Sequence, residues 1–172
     1  MIDKNAASNE FSFEDAGRSP GDAQYLTFFL GGQEYGVDIL KVQGIQGWGD
    51  YTILPNTPEY LLGVINLRGA IVPIIDLRLR FSLGEPTYND VTVVIVVKIA
   101  YGDTEKVIGL VVDNVSEVYN IDNSSMNIPP DFGSNVDVTY LSGLAMVDKT
   151  LVIMIDVDKL ISESVLENLP EA

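Results

Sequence analysis

Any covalent or acid–base chemistry in this chain would have to come from carboxylates, lysines and tyrosines, because the sequence contains no histidine and no cysteine. That removes Ser-His-Asp and Cys-His nucleophiles, together with imidazole and thiolate metal sites. Proton transfer is left to weaker candidates. Two carboxylates stand at repeated positions: Asp76 and Asp156 each close an apolar run, IVPIID and LVIMID. A residue that ends a strand in two equivalent places is expected to cap or turn the chain, so both are read as structural. Asp156-Val157-Asp158 lacks the glycine and the distal glutamate of a calcium loop, and neither GxGxxG nor GxxxxGK occurs. No catalytic residue, metal ligand or cofactor is assigned. The chain reads as a non-enzyme that binds proteins. A β-barrel hydrolase working through carboxylates alone is the alternative class, which turnover assays on esters, phosphates and glycosides would separate.

The segments that hold these two aspartates are themselves duplicated. Residues 60–76, YLLGVINLRGAIVPIID, recur eighty positions later as residues 140–156, YLSGLAMVDKTLVIMID, without insertion or deletion. Tyr60/Tyr140, Leu61/Leu141, Gly63/Gly143, Val72/Val152 and Asp76/Asp156 are identical pairs. Upstream, at an offset of 73, Gly36, Val42 and Ile45 answer Gly109, Val115 and Val118. What the copies share is expected to build the unit, and where they differ they are free to carry function. The largest difference falls at a turn, Arg68-Gly69 in one copy and Asp148-Lys149 in the other. Arginine is favoured at interface hot spots, which makes Arg68 the sharpest binding candidate. Val42 and Ile45 are ambiguous, because apolar strand residues usually belong to a core. Three apart in a straight strand they would face opposite sides, so at most one is expected to be buried unless a bulge intervenes.

The surrounding elements follow from local patterns. Residues 1–23 are polar and aperiodic and read as a disordered arm. Gln24 to Leu30 and Gln33 to Ile39 predict a hairpin around Gly31-Gly32, with Val42 to Ile45 extending the sheet. Thr57-Pro58-Glu59 predicts the cap and first turn of a short helix ending at Gly63, with Asp137 as the matching cap in the second copy. Val64 to Leu67 and Ala70 to Ile75 form a second hairpin, and Pro73, without an N–H, is expected at an edge or bulge. Val91 to Ile99, Lys106 to Val112, Val115 to Val118, Gly143 to Val147 and Leu151 to Ile155 repeat the scheme, with a turn over Ala100 to Glu105. From Asp158 onward Leu160, Ile161, Val165, Leu166 and Leu169 sit near helical spacing and predict a C-terminal helix. The fold class is mainly β, with two small barrels packed together. The first covers about 24–81 and the second about 90–156, allowing for strand exchange between them, and 158–172 forms the C-terminal helix and tail.

Composition narrows the partners. The net charge is −15, spread as −3 before Gln24, −9 from there to Asp156 and −3 beyond. A phosphate backbone needs a concentrated basic face, so nucleic acid is not expected, and anionic membranes are disfavoured by the same repulsion. The longest largely apolar run, Val91 to Tyr101, is interrupted by Lys98 and too short for a bilayer span. The first residues show no basic start followed by an apolar stretch, so no secretory leader is expected. Absent cysteines fit a reducing compartment.

EYGVDILKVQGI, TPEYLLGVINLRGAIVPIIDLRLRF, IGLVVDNVSEV and YLSGLAMVDKTLVIMIDVDKL, in that order over roughly Gln24 to Ile161, closely resemble the CheW family of chemotaxis coupling proteins. The resemblance implies two SH3-like five-stranded barrels and no catalysis. It implies a cytoplasmic adaptor recruited to membrane receptor arrays, joining the tips of methyl-accepting receptors to the regulatory domain of the histidine kinase CheA. By matching motif, Val42, Ile45, Gly63, Arg68 and Val118 fall where the family lines its receptor groove, and Val107, Gly109, Val111 and Val115 would face the kinase. The same module serving another chemosensory kinase pathway is the nearest alternative. Many relatives carry an acidic residue where this chain has Gly44, which bears on partner choice.

Overall fold

The computed structural model describes residues 22–127, 140–161 and 166. Ten strands dominate these residues: β1 (Asp22–Leu30), β2 (Gln33–Asp38), β3 (Val42–Gly47), β4 (Leu61–Leu67), β5 (Ala70–Asp76), β6 (Val93–Tyr101), β7 (Thr104–Val112), β8 (Asn114–Asp122), β9 (Leu141–Val147) and β10 (Thr150–Ile155). They form two five-stranded sheets, each curled like a half-barrel. Sheet I runs β8-β1-β2-β10-β9 and sheet II runs β3-β6-β7-β5-β4. Each sheet therefore joins the first two strands of one repeat to the last three of the other. The joints are the parallel pairs: Met154 lies opposite Gly36 in β10·β2, and Ile74 opposite Gly109 in β5·β7.

This exchange explains which residues are buried. Alternating side chains send one face of each strand into its own half-barrel and the other into a core shared by both sheets. The shared core holds Phe28, Tyr35, Val37, Ile75, Leu77, Phe81, Ile95, Val97, Leu110 and Leu160, with Phe28, Tyr35, Phe81 and Tyr140 stacked in series at 6.1 to 6.2 Å. Ile74, Val94, Val96 and Val111 fill half-barrel II, and Ile121, Ala145, Val152 and Met154 fill half-barrel I. Central strands such as β6 and β7 are buried on both faces, so they read as apolar runs rather than alternations.

Several local expectations change. No helix forms over 57–63: Leu61 N–H donates to Pro58 C=O in a single turn, and β4 starts at Leu61. Burial of Leu61 in the shared core and the pairing of β4 with β5 outweigh the capping signal. Asp137 lies outside the described residues. Pro73 sits in an interior strand instead of an edge. It faces Val64, whose N–H and C=O bond Thr52, and pairing of β5 with β7 begins only at Ile74, so no ladder donor is demanded of it. The hairpin of the second copy is tighter than Ala100 to Glu105, with strands running to Tyr101 and from Thr104. The proposed arm lies outside the described residues up to position 21, and β1 already includes residues 22 and 23. Of the expected C-terminal helix, Val157–Lys159 is a 3-10 turn, Leu166 is helical and buried, and the remaining residues past 161 lie outside the description.

The repeated aspartates cap, as their positions suggest. Asp76 accepts from Leu79 N–H ahead of the helix α1 (Leu77–Arg80), and Asp156 accepts from Asp158 N–H ahead of the last 3-10 turn. Beyond each cap an ion pair closes a parallel strand pair. Arg78 grips Asp113 at 2.6 Å, and Asp113 also accepts from Gly31 N–H. Lys41 holds Asp158 at 2.9 Å, and Asp158 also accepts from Ala100 N–H. Between the halves, the Arg80 guanidinium lies 4.8 Å from the Tyr60 ring centroid and 4.4 Å from that of Tyr140, the repeat's equivalent tyrosines.

Asp76 is 1% exposed and also accepts from the Tyr88 hydroxyl at 2.6 Å. Burial raises its carboxyl above the ordinary range despite the hydrogen bonds from Tyr88, Leu79 and Arg78, which act to lower it. With the folded value above the unfolded one, ionisation opposes folding, and the stability contributed by the protonated form is lost as pH rises through the folded value. Asp76→Asn keeps an acceptor for Leu79 N–H. Its Tm is expected to gain on the wild type as pH rises from the carboxylate range to neutrality, read by thermal melts across that window. A constant difference across pH would contradict it.

Candidate protein-binding groove

Half-barrel II stays open between its two edge strands, β3 and β4. A groove of about 260 Å³ lies there. Gln43, Gly44, Ile45 and Gln46 of β3 make one wall, Leu67, Arg68 and Ala70 of the β4–β5 hairpin the other, and Val72, Val96 and Val107 the floor. The floor exists because of the strand exchange: Val72 comes from the first repeat, Val96 and Val107 from the second. A second depression of about 300 Å³ continues along β3 past Trp48, with Ile65, Ile74 and Val94 beneath it. Gln46 lines both, and its Oε1 is buried without a hydrogen-bond partner, an acceptor held inside an apolar channel. Trp48 is fixed by stacking on Tyr88 at 4.3 Å, and Tyr88 is tied to Asp76.

Arg68 occupies a costly position. The β4–β5 turn has φ of 55° at Arg68 and 90° at Gly69, a two-residue turn in which both positions are left-handed. Asparagine or glycine suits the first position, whereas arginine there carries strain on the order of 1 kcal/mol. Asn66 Oδ1 accepts from Gly69 N–H and steadies the turn. Arg68 is exposed and has no ion-pair partner among the described residues. An unpaired cation is thus held at the rim of an apolar groove on a strongly acidic chain.

The structure gathers some of the sequence-derived candidates and separates others. Ile45 and Arg68 flank the same groove, and Val107, assigned to the other surface, lies on its floor. Val42 does not line it. A bulge between Val42 and Gly44 pairs Val42 with Val97 and Ile45 with Ile95, both shared-core residues, so Val42 and Ile45 point to one face. Val42 packs on that core, whereas Ile45, farther along the edge, is 47% exposed. Val115 and Val118 repeat the arrangement on β8, with the extra residue of a bulge between them opposite the stretch from Leu26 to Phe28 of β1, but in sheet I and away from Arg68. Gly63 is buried under Thr52, and its role is steric. Gly109 and Val111 are buried in the middle strand β7 and offer no surface in this fold. Val72, Val96, Leu67 and Gln46 were not singled out from sequence, since only the exchanged pairing of β5 with β7 brings them together.

Among the described residues no helix is long and apolar enough to cross a membrane, and no group of ligating side chains could hold a metal ion. Residues 24–165 match the model of the CheW-like domain. The chain is 42% identical to the chemotaxis protein CheW of Klebsiella aerogenes over 147 residues, covering 86% of each. It is 36% identical to the probable chemotaxis protein CheW of Rhizobium etli over 146 residues, 84% of this chain and 90% of that one. Its fold superimposes on the crystal structure of the scaffolding protein CheW of Thermoanaerobacter tengcongensis with a TM-score of 0.76 at 33% identity, covering 87% of this chain and 94% of the other. A family model matched over residues 24–165, and relatives and a solved structure that share most of the chain, lead to one conclusion: this chain belongs to the CheW family of chemotaxis coupling proteins.

Proposed function

We propose that this protein works in the cytoplasm as an adaptor that joins the tips of methyl-accepting receptors to the regulatory domain of the histidine kinase CheA. The observation that carries this reading is the groove between β3 and the β4–β5 hairpin. Its floor is apolar, its rim carries Ile45 and the unpaired Arg68, and its open side suits the apolar stripe of a receptor helix. The kinase is then left the exposed start of β8, around Asn114 and the half-buried Val115.

Arg68→Glu tests the groove. Arg68 packs against no core, so its replacement should leave Tm nearly unchanged while weakening binding of a receptor-tip fragment by about 1–2 kcal/mol, with a reduced salt dependence. Calorimetry at two ionic strengths reads both. Unchanged affinity would remove Arg68 from the site. Coupling also requires receptor fragment and kinase domain to occupy the protein together, so strict competition between them in a ternary binding assay would sink the adaptor mechanism.

A further inference from the structure

We infer that the mouth of half-barrel I is a second docking site, one that receives a basic side chain, arginine or lysine, from a protein partner. The two half-barrels can be superposed by register. Val72 lies beside Val107 two residues before the Ile74–Gly109 pair, and Val152 lies beside Glu34 two residues before the Met154–Gly36 pair. Glu34 thus occupies the place of Val107 on the groove floor. Likewise Thr27, opposite Gly36, takes the place of Val96, opposite Gly109, and Asp148 takes the place of Arg68 on the rim. The same scaffold has an apolar floor under an Arg68-Gly69 rim in one half, and a carboxylate in the floor under an Asp148-Lys149 rim in the other.

Glu34 is 6% exposed, and its Oε2 has no hydrogen-bond partner. Val152 lies beside it in β10 and Phe29 opposite it in β1, neither of them charged, and no ion pair reaches it among the described residues. Burial, followed by the charges of Glu34, Glu117 and Asp148, pushes the Tyr119 phenol up. A buried carboxylate left unpaired is costly, and a guanidinium or ammonium that reaches it gains a charge-assisted hydrogen bond in a dry setting. An arginine or lysine on a peptide is the occupant that matches a buried carboxylate set among apolar side chains, because its stem is apolar and its head is charged. The inference does not rest on the receptor reading, which concerns half-barrel II, and its carboxylates lie along β2 and the far part of β8, beyond the start of β8 that the kinase reading uses.

The test uses the full chain and a displayed library of random dodecapeptides, selected against the wild-type protein with Glu34→Gln as counter-target. Enriched peptides are expected to share an arginine or lysine flanked by apolar residues, and to bind Glu34→Gln about thirtyfold or more weakly. Amide shifts on peptide addition should centre on Glu34, Tyr119 and Val152 and leave Ile45 and Arg68 unmoved. Selections without binders, a consensus lacking a basic residue, or equal binding to folded Glu34→Gln would each overturn the site. Should circular dichroism show Glu34→Gln unfolded, Asp148→Asn takes its place as counter-target, with the amide shifts deciding.

Discussion

Val42→Asp is expected to lower folding stability by about 2–4 kcal/mol, whereas Ile45→Asp should change it by no more than about 0.5 kcal/mol. Both side chains leave the same face of β3, because the bulge between Val42 and Gly44 restores the phase that three residues would otherwise reverse. What separates them is position along the edge. Val42 packs on the shared core, where a carboxylate would be left without a partner, and Ile45 extends past that core into solvent. Ile45→Asp should instead cost about 1–2 kcal/mol in binding of a receptor-tip fragment, the scale of a lost apolar contact at the groove's rim. Urea midpoints and calorimetric affinities of the two variants separate the effects. If both variants unfold, Ile45 is core and leaves the binding surface; if neither loses affinity, the receptor docks elsewhere.

Gly63→Ala should destabilise by about 3 kcal/mol or more, yet Gly143→Ala by about 1 kcal/mol or less, although the two glycines are repeat equivalents. Gly63 has a φ of 156°, and a Cβ there would lie 2.0 Å from the Thr52 carbonyl oxygen. That oxygen accepts from Val64 N–H while Thr52 N–H donates to Val64, so neither strand can retreat without losing both hydrogen bonds. At Gly143 the nearest atoms are Cγ and Sδ of Met126, at 2.3 and 2.7 Å, while the carbonyl oxygen of Asn127, whose bridge to Leu144 matches that of Thr52 to Val64, stands back at 3.2 Å. A methionine side chain can swing aside. Paired chemical denaturation curves decide it, and equal losses at both positions would show that the Thr52 bridge is not the constraint.

The hairpins, the duplicated unit and the capping role of Asp76 and Asp156 could be read from the chain because each depends on residues close in sequence. Gly31-Gly32 and Arg68-Gly69 sit at turns whose geometry they set themselves. The groove floor was not legible in the same way. Val72 and Val107 become neighbours only through the parallel pairing of β5 with β7, and nothing local says that a repeat will lend its strands to its twin. The same blindness put Gly109 and Val111 on a surface, since a strand buried on both faces looks like any apolar run. Thr57-Pro58-Glu59 misled for the opposite reason: the local signal for a helix was genuine, and tertiary pairing of Leu61 overrode it.

Arg78 and Asp158 occupy equivalent places eighty positions apart, and their partners Asp113 and Lys41 lie one step apart in the repeat's register, so the two ion pairs match with their signs reversed. A duplicated unit starts with two identical halves, each as ready to close on itself as on its neighbour. With these charges, self-closure would set Arg78 against Lys41 and Asp113 against Asp158, while crossing over gives attraction at both ends. Counting two attractions against two repulsions at half-exposed sites, the bias is on the order of 1–3 kcal/mol. The reversed pairs thus act as an address that favours the exchanged arrangement over self-closure, and they tie the groove floor, which the exchange assembles, to the sign of four side chains.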